Sequence, residues 1–269
     1  MEESFRTRYG PWALVAGGST GMGAAYARQL AQKGLNVVIV AEAPDPLEPL
    51  ARELAAAQGV QTRAVLADLS SPHILSELDT ATRDLEIGLL VYNAAHSVVG
   101  RFLDVSLEDK LKMLDVNCRG PLLLCHHFGG RMAARRHGGI IVVASLSGFQ
   151  GHAMVGTYAA TKGFDLALGE ALWNELRDQG VDVLAFCPGA TRTPAFLATH
   201  PRPTGALSAP LMDPDETVAE AIAALGRGPT HIAGRANRLA AFVLHRLLPR
   251  RALVELMSRT TRAMYERRV

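Results

Sequence analysis

Three polar residues, Ser145, Tyr158 and Lys162, have side chains and spacing that could move a proton. Tyr158 and Lys162 are four residues apart, so on a helix their side chains lie on one face. A phenol exchanges protons poorly at neutral pH, but a neighbouring ammonium group favours the phenolate. Ser145 follows the apolar run 140–144, which predicts a buried parallel strand whose carboxyl end faces a ligand crevice. These residues are therefore candidates for acid/base chemistry.

Each of these features also has an ordinary structural interpretation. A Tyr and a Lys four residues apart are most often an exposed helix pair, and a Ser after a strand is most often a turn residue. The functional interpretation therefore depends on what the rest of the chain places around them.

A glycine-rich turn near the N-terminus indicates a phosphate site. The apolar run 12–16 predicts a strand, and residues 24–31 predict a helix directly after the turn. Glycines let the backbone approach a pyrophosphate closely, and the helix N-terminus meets its charge. The candidate phosphate-binding residues are Gly17, Ser19, Thr20, Gly21, Met22 and Gly23.

Further polar residues follow the other predicted strands. Glu42, after the strand 37–40, is a candidate for holding the adenosine ribose hydroxyls, which favours NAD over NADP; alternatively it faces solvent. Asp68 and Leu69 are placed to meet the adenine, unless Asp68 caps the next helix. The remaining cofactor candidates are Asn93, Ala94, Tyr158, Lys162, Pro188, Gly189, Thr191 and Thr193.

Asn117 lies in an apolar helical stretch, where an amide needs hydrogen-bond partners. It is either a satisfied core amide or the holder of a water behind Lys162 that would relay protons.

Composition narrows the class of protein. With 269 residues, a net charge of +2 and 20% charged residues, the chain suits one α/β domain. Cys118, Cys125 and Cys187 lack Cys-x-x-Cys spacing, so we expect reduced packing residues and no metal site. The start lacks a signal-peptide pattern, and no apolar run approaches the ~20 residues that cross a bilayer, so we expect a cytoplasmic protein.

The last segment of the chain is distinctly basic. Residues 227–269 hold ten Arg against Glu255 and Glu266, which gives +8 there and leaves −6 on the rest. We expect a Rossmann-type domain over residues 1–234 and a basic amphipathic helical tail over 235–269, packed on the domain or on a partner subunit. Folded back, the tail could also wall a pocket with apolar side chains. Peripheral membrane contact is an alternative that we do not favour.

Read together, these motifs resemble the short-chain dehydrogenases/reductases from residue 12 to about residue 232. The family pattern is carried, in order and spacing, by Gly17-x-x-x-Gly21-x-Gly23, Asp68, Asn93-Ala94, Asn117, Ser145, Tyr158-x-x-x-Lys162 and Pro188-Gly189-x-x-x-Thr193. The resemblance implies a single Rossmann-type doubly wound parallel sheet of about seven strands flanked by helices. It also implies that Tyr158 is the acid/base, Ser145 orients the carbonyl, Lys162 holds the nicotinamide ribose and Asn117 supports a proton relay.

Residues 9–15 and 85–91 are similar to a narrower branch, the hydroxysteroid dehydrogenases and 3-ketoacyl reductases of membrane-linked lipid metabolism. The chain departs from that branch at Glu42, where the branch usually carries Arg for NADP, and from the family at Ala95, where Gly is usual. We therefore expect NAD as cofactor, with NADP as the alternative.

The inferred pocket has few charges and predicts an apolar secondary alcohol or ketone of steroid, aromatic or acyl type. Its candidate residues are Ser145, Phe149, His152, Met154, Tyr158, Phe196 and Leu197. A non-catalytic NAD(H)-binding sensor or scaffold is the alternative function. The helix after Lys162 has apolar residues on more than one face. A partner subunit in a homodimer or homotetramer could cover the surplus, and the sheet alone is the alternative. No nucleic-acid partner is expected, because no aromatic-basic pattern accompanies the Arg-rich tail.

Overall fold

The computed structural model describes residues 4–202 and 211–266, in which strands and helices alternate along most of the chain. The strands are β1 (Trp12–Ala16), β2 (Asn36–Ala41), β3 (Thr62–Leu66), β4 (Ile87–Tyr92), β5 (Gly138–Val143), β6 (Val181–Cys187) and β7 (Thr230–Ile232). The helices are α1 (Phe5–Tyr9), α2 (Gly21–Gln32), α3 (Leu47–Gln58), α4 (Ile74–Thr82), α5 (Leu107–Leu114), α6 (Gly120–Arg135), α7 (Gly156–Leu176), α8 (Pro194–Ala198), α9 (Pro214–Ala224), α10 (Arg235–Leu247) and α11 (Arg250–Tyr265). A π-helical turn, Asp115–Arg119, joins α5 to α6, and short 3-10 turns span Leu146–Phe149 and Arg177–Gln179.

The strands form one parallel sheet in the order β3-β2-β1-β4-β5-β6-β7. Every residue of β1, β4 and β5 is buried, as continuous apolar strands predict for a sheet covered on both faces. The strand order reverses between β1 and β4, which is where open α/β sheets bind ligands. The predicted doubly wound Rossmann-type sheet is therefore confirmed.

Side chains of β1 alternate between two hydrophobic cores. Ala13 and Val15 pack with residues of α2, α3 and α9, whereas Leu14 and Ala16 pack with residues of α4 and α6. Successive strand residues point to opposite faces, so helices cover both sides of the sheet. The carboxyl ends of the strands are left to form a site.

The two tail helices differ in how they pack. In α11, Leu253 is only 2% exposed, and the Ser258 hydroxyl accepts a hydrogen bond of 3.1 Å from the Ala153 backbone N–H. In α10, Phe242 and Leu247 are 61% and 73% exposed. Thus α11 folds back on the chain, while the apolar face of α10 stays exposed in the single subunit.

The three cysteines are free thiols. Burial raises the pKa of Cys125 and of Cys187 to about 12, which makes both thiols unreactive at neutral pH. No helix in the described part of the chain is both long and apolar enough to cross a membrane. The cytoplasmic location and the division into a domain and a tail stay predictions.

Candidate active site

A cavity of about 710 Å³ lies at the carboxyl edge of the sheet, where its lining includes residues that follow β1 to β6. Ser145, Tyr158 and Lys162 all line it, although they come from the end of β5 and from α7. The predicted cofactor residues that share this cavity are Gly17, Ser19, Thr20, Gly21, Met22, Glu42, Asp68, Leu69, Asn93, Ala94, Pro188, Gly189, Thr191 and Thr193. The fold thus places the candidate acid/base residues and the candidate cofactor residues at the same carboxyl edge of the sheet.

The glycine-rich turn between β1 and α2 requires its glycines. Gly17 has φ +73°, a left-handed conformation that favours glycine. Gly23 does not line the cavity, and a Cβ on it would stand 1.9 Å from the Gly17 carbonyl oxygen. The Thr20 side chain makes no capping hydrogen bond, so the first amides of α2 are available to an anion.

Asn93, at the end of β4, provides a direct test of whether a dinucleotide fits. Its Nδ2 donates to the Gly17 carbonyl oxygen at 2.9 Å, which ties the β4 end to the glycine turn. Its Oδ1 is buried and has no hydrogen-bond partner among the described residues. Such an orphaned acceptor indicates a missing donor. Together with the open N-terminus of α2, it fits a bound dinucleotide cofactor.

Glu42 is held by a residue that no sequence motif indicated. Lys112, on α5, donates to Glu42 Oε1 at 2.9 Å, and this hydrogen bond is the main reason that the pKa of Lys112 is raised. Asp68 accepts hydrogen bonds from the backbone N–H and the hydroxyl of Ser70, at 2.8 and 2.7 Å. The Ser70 hydroxyl lowers the pKa of Asp68. Asp68 therefore makes the turn-capping bonds of its alternative interpretation and also lines the cavity.

Lys162 is buried, with its side chain only 2% exposed. Its ammonium group donates to the Val143 carbonyl oxygen at 2.8 Å and to Asp165 Oδ2 at 2.9 Å, and Nζ lies 6.0 Å from the Tyr158 ring centroid. Burial acts to lower the pKa of Lys162, but the charges of Asp165 and Tyr158 outweigh it and the pKa is raised. Two of the three ammonium protons are thus used within the protein.

Asn117 lies in the π-helical turn, where it is completely buried. Its Nδ2 donates to the His96 carbonyl oxygen at 2.9 Å and to Thr161 Oγ1 at 3.0 Å, and its Oδ1 accepts from the His96 N–H at 2.7 Å. Thr161 Oγ1 in turn donates to the Tyr158 carbonyl oxygen at 2.8 Å. The side chain is thus a satisfied core amide that ties the loop after β4 to the turn of α7 that holds Tyr158 and Thr161. Its part in a proton relay stays a prediction.

The Ser145 hydroxyl accepts a hydrogen bond of 3.1 Å from the Ser147 N–H and so begins the 3-10 turn after β5. A hydroxyl that accepts one bond keeps its own proton for donation. Ser145 can therefore donate to an oxygen in the cavity.

Of the predicted substrate walls, His152 and Phe196 line the cavity but Phe149, Met154 and Leu197 do not. Phe149 packs on His245 of α10, with ring centroids 5.3 Å apart. Leu197 is 47% exposed on α8. Met154 has φ +68° and lines a neighbouring cavity of about 520 Å³, which it shares with His152. These three residues were predicted as walls because they are close in sequence to Ser145 or Thr193, but that closeness does not determine where their side chains point.

The missing walls come from α11. The residues of this helix that line the cavity are Met257, Thr260, Thr261, Met264 and Tyr265. In the sequence, the amphipathic pattern of the tail was the signal for these residues. That pattern is compatible with a pocket wall, but it does not indicate where the helix packs. The short helix α8 follows Thr193, and residues 203–210 lie outside the described part of the chain.

Comparison with known proteins agrees with this geometry. A family model described as short chain dehydrogenase matches residues 11–202. The chain is 35% identical over 237 residues to a 7beta-hydroxysteroid dehydrogenase of Collinsella aerofaciens, a match that covers 87% of this chain and 90% of the relative. A structure solved in a study of 7beta-hydroxysteroid dehydrogenase stereoselectivity has a TM-score of 0.88 and 32% identity, covering 94% of this chain and 99% of its own. A short-chain dehydrogenase from Sphingobium yanoikuyae in complex with NADPH has a TM-score of 0.77 and 30% identity, covering 88% and 93%.

Proposed function

The chain belongs to the short-chain dehydrogenase/reductase family, and we propose that it transfers a hydride between a nicotinamide cofactor and an apolar secondary alcohol or ketone. As a family member with hydroxysteroid dehydrogenase relatives, it is an NAD(P)-dependent oxidoreductase. The observation that supports the specific reaction is the cavity that joins Ser145, Tyr158 and Lys162 to the glycine-rich turn. A protein that only binds the cofactor has no need of the Ser145 and Tyr158 hydroxyls.

The glycine-rich turn and Lys162 would hold a reduced nicotinamide cofactor, which would supply the hydride that the carbonyl carbon accepts. Ser145 donates a hydrogen bond to the carbonyl oxygen, and Tyr158 gives its phenol proton to the same oxygen, so that a ketone becomes a secondary alcohol. In the reverse direction the phenolate takes the alcohol proton. Lys162 favours the phenolate by its charge and keeps one N–H for the cofactor ribose.

For the cofactor we propose a preference for NAD(H). The Glu42 carboxylate can accept hydrogen bonds from ribose hydroxyls and repels a phosphate group at the same place. The neighbouring Lys112 ammonium weakens that repulsion. The NADPH bound by the Sphingobium yanoikuyae protein shows what that relative takes, and the preference of this chain depends on Glu42.

For the substrate we propose a bulky apolar alcohol or ketone, with steroids as the first class to test. Phe196 of α8 and Met257 and Met264 of α11 bring apolar side chains to the cavity beside Tyr158. The similar proteins include 7beta-hydroxysteroid dehydrogenases, and that activity agrees with a pocket of this character.

We propose that the protein acts as a homo-oligomer, a homodimer or homotetramer. Leu107, Leu111 and Leu114 on α5 and Leu122 on α6 are 46–69% exposed, and Phe164 on α7 is 36% exposed. A second copy of the chain would remove these apolar side chains from water.

The test is turnover of a panel of apolar ketones and alcohols by the wild type and by Tyr158→Phe. The variant keeps the ring and removes the hydroxyl, so we expect a loss of turnover of at least ~10²-fold with cofactor binding retained. Tight NADH binding without turnover by the wild type would instead favour a sensor or scaffold.

A further inference from the structure

His152 is a residue that two cavities share. It lies between the 3-10 turn after β5 and the start of α7, and it lines both the active-site cavity of about 710 Å³ and the neighbouring cavity of about 520 Å³. Ser145 and Tyr158 line the active-site cavity as well. A bulky substrate whose carbonyl group lies at Ser145 and Tyr158 can therefore bring a more distant part of its body to His152.

The imidazole ring of His152 is held on one side by Gln150. This glutamine is only 6% exposed, and its Nε2 lies 2.7 Å from His152 Nε2. An amide nitrogen can only donate, so with the Gln150 amide oriented as in this structure His152 Nε2 is the acceptor. Burial lowers the pKa of His152, so the ring is neutral at neutral pH. Its single proton then lies on Nδ1.

The contact on the other side of the ring is long. His152 Nδ1 lies 3.4 Å from Thr261 Oγ1 on α11, whereas an N–H···O hydrogen bond usually measures about 2.7–3.2 Å. Thr261 is 8% exposed, lines the active-site cavity and donates its hydroxyl proton to the Met257 carbonyl oxygen at 2.7 Å. The pair therefore presents a weakly bonded donor, the Nδ1–H, beside an acceptor, the threonine oxygen.

Two other threonines of this wall also act as acceptors. Thr260 and Thr199 line the same cavity, and each donates its hydroxyl proton to a nearby backbone carbonyl oxygen, at 3.1 and 2.7 Å. Their protons are thus used within the protein. The N–H of His152 gives this wall a donor that these threonines do not supply.

We propose that His152 and Thr261 form a subsite that binds a second hydroxyl group of the substrate, away from the carbon that reacts. The site would then select apolar ketones or alcohols that carry a further neutral hydroxyl group. This inference rests on the proposed function, because it requires the reacting oxygen to lie at Ser145 and Tyr158.

A hydroxyl group fits this pair because it can accept and donate at the same time. Its oxygen can lie about 2.9 Å from both His152 Nδ1 and Thr261 Oγ1, where it accepts the imidazole proton and gives its own proton to the threonine. A ketone oxygen could make only the first of these bonds. A carboxylate would lose its hydration to a neutral ring and a threonine acceptor, which disfavours it here. An apolar substrate without the hydroxyl would cover the His152 N–H and leave it unpaired, so it should bind less well.

The experiment measures kcat/KM for pairs of ketosteroids that differ by one hydroxyl group, with the hydroxyl at a different ring carbon in each pair. For at least one pair we expect the wild type to prefer the hydroxylated member about tenfold or more. His152→Leu removes both ring nitrogens, so this preference should fall to about one, with kcat/KM for the deoxy member within about threefold of wild type. His152→Asn keeps an N–H near the position of Nδ1 and should restore part of the preference.

Thr261→Val tests the same subsite without disturbing Gln150, which loses its partner in His152→Leu. Valine removes the acceptor oxygen at nearly constant size, so we expect the preference to fall about three- to tenfold. The change should lie in KM for the hydroxylated member, since the groups at the reacting carbon are untouched. Thr261→Ser keeps the hydroxyl and is the matched control that should retain the preference.

A wild type that turns over both members of every pair equally well would overturn the inference and leave the proposed function standing. The same conclusion follows if His152→Leu and Thr261→Val lower kcat by one factor for both members, because a structural role or a contact with the reacting oxygen gives that result. If the wild type turns over no ketone or alcohol, the proposed function fails and the subsite fails with it. Tyr158→Phe shows how loss of the acid/base looks, since it should lose turnover of both members alike.

Discussion

Replacing Glu42 by Gln removes the charge of the proposed ribose acceptor and leaves its size unchanged. A hydrogen bond to a charged group contributes about 1.5–3 kcal/mol, and a neutral one about 0.5–1.5 kcal/mol. The expected loss of about 1–1.5 kcal/mol lowers NADH affinity roughly five- to twelvefold. The ion pair with Lys112 offsets little, because the side chains are 64% and 35% exposed and such pairs contribute ~0–1 kcal/mol. NADPH affinity should rise, since its phosphate no longer meets a carboxylate and Lys112 is released.

The assay is fluorescence titration of NADH and NADPH at one fixed salt concentration. Lys112→Met is the matched control, because it breaks the same ion pair from the other side. For this control we expect NADH affinity within about threefold of wild type and weaker NADPH binding. A wild type that prefers NADPH, or an NADH/NADPH ratio that is the same in Glu42→Gln, would refute the assignment of Glu42 to the ribose.

Two further predictions concern the frame of the site. Gly23→Ala places a Cβ 1.9 Å from the Gly17 carbonyl oxygen, so we expect NADH affinity to fall at least ~10-fold by titration; Gly130→Ala, where a Cβ meets nothing within 4 Å, should bind normally. Leu253→Ala removes the 2% exposed anchor of α11 and should lower the free energy of unfolding by about 2–4 kcal/mol and raise the KM for an apolar substrate. Leu239→Ala, at a 65% exposed position, should stay within ~0.5 kcal/mol of wild type in denaturant unfolding, and equal losses in both variants would contradict the packing of α11.

The sheet and the core of the site were predictable because their signals are local. The pattern of a strand, the glycine-rich turn 17–23 and a helix can be recognised within about twenty residues of sequence. The spacing of Tyr158 and Lys162 alone predicts that they share a helix face. Asp68 shows that two interpretations can hold together, since it caps a turn and also lines the cavity.

What could not be predicted depends on contacts between distant segments. Lys112 meets Glu42 across 70 residues because α5 and the end of β2 reach the same edge of the sheet, and no local pattern records that. Asp165 lies only three residues from Lys162, but three residues on a helix indicate a shared face and not a buried ion pair. Phe149 was predicted to line the pocket and instead packs on α10, a helix whose position the sequence leaves open.

Transfer of deuterium from C4-deuterated NADH to a ketone tests the central claim most directly. The wild type is expected to place deuterium on the carbinol carbon of the alcohol product, as mass spectrometry would show, and Tyr158→Phe is expected to bind the same cofactor without forming labelled alcohol. Labelled alcohol formed by Tyr158→Phe at the wild-type rate would contradict the assignment of Tyr158 as the acid/base.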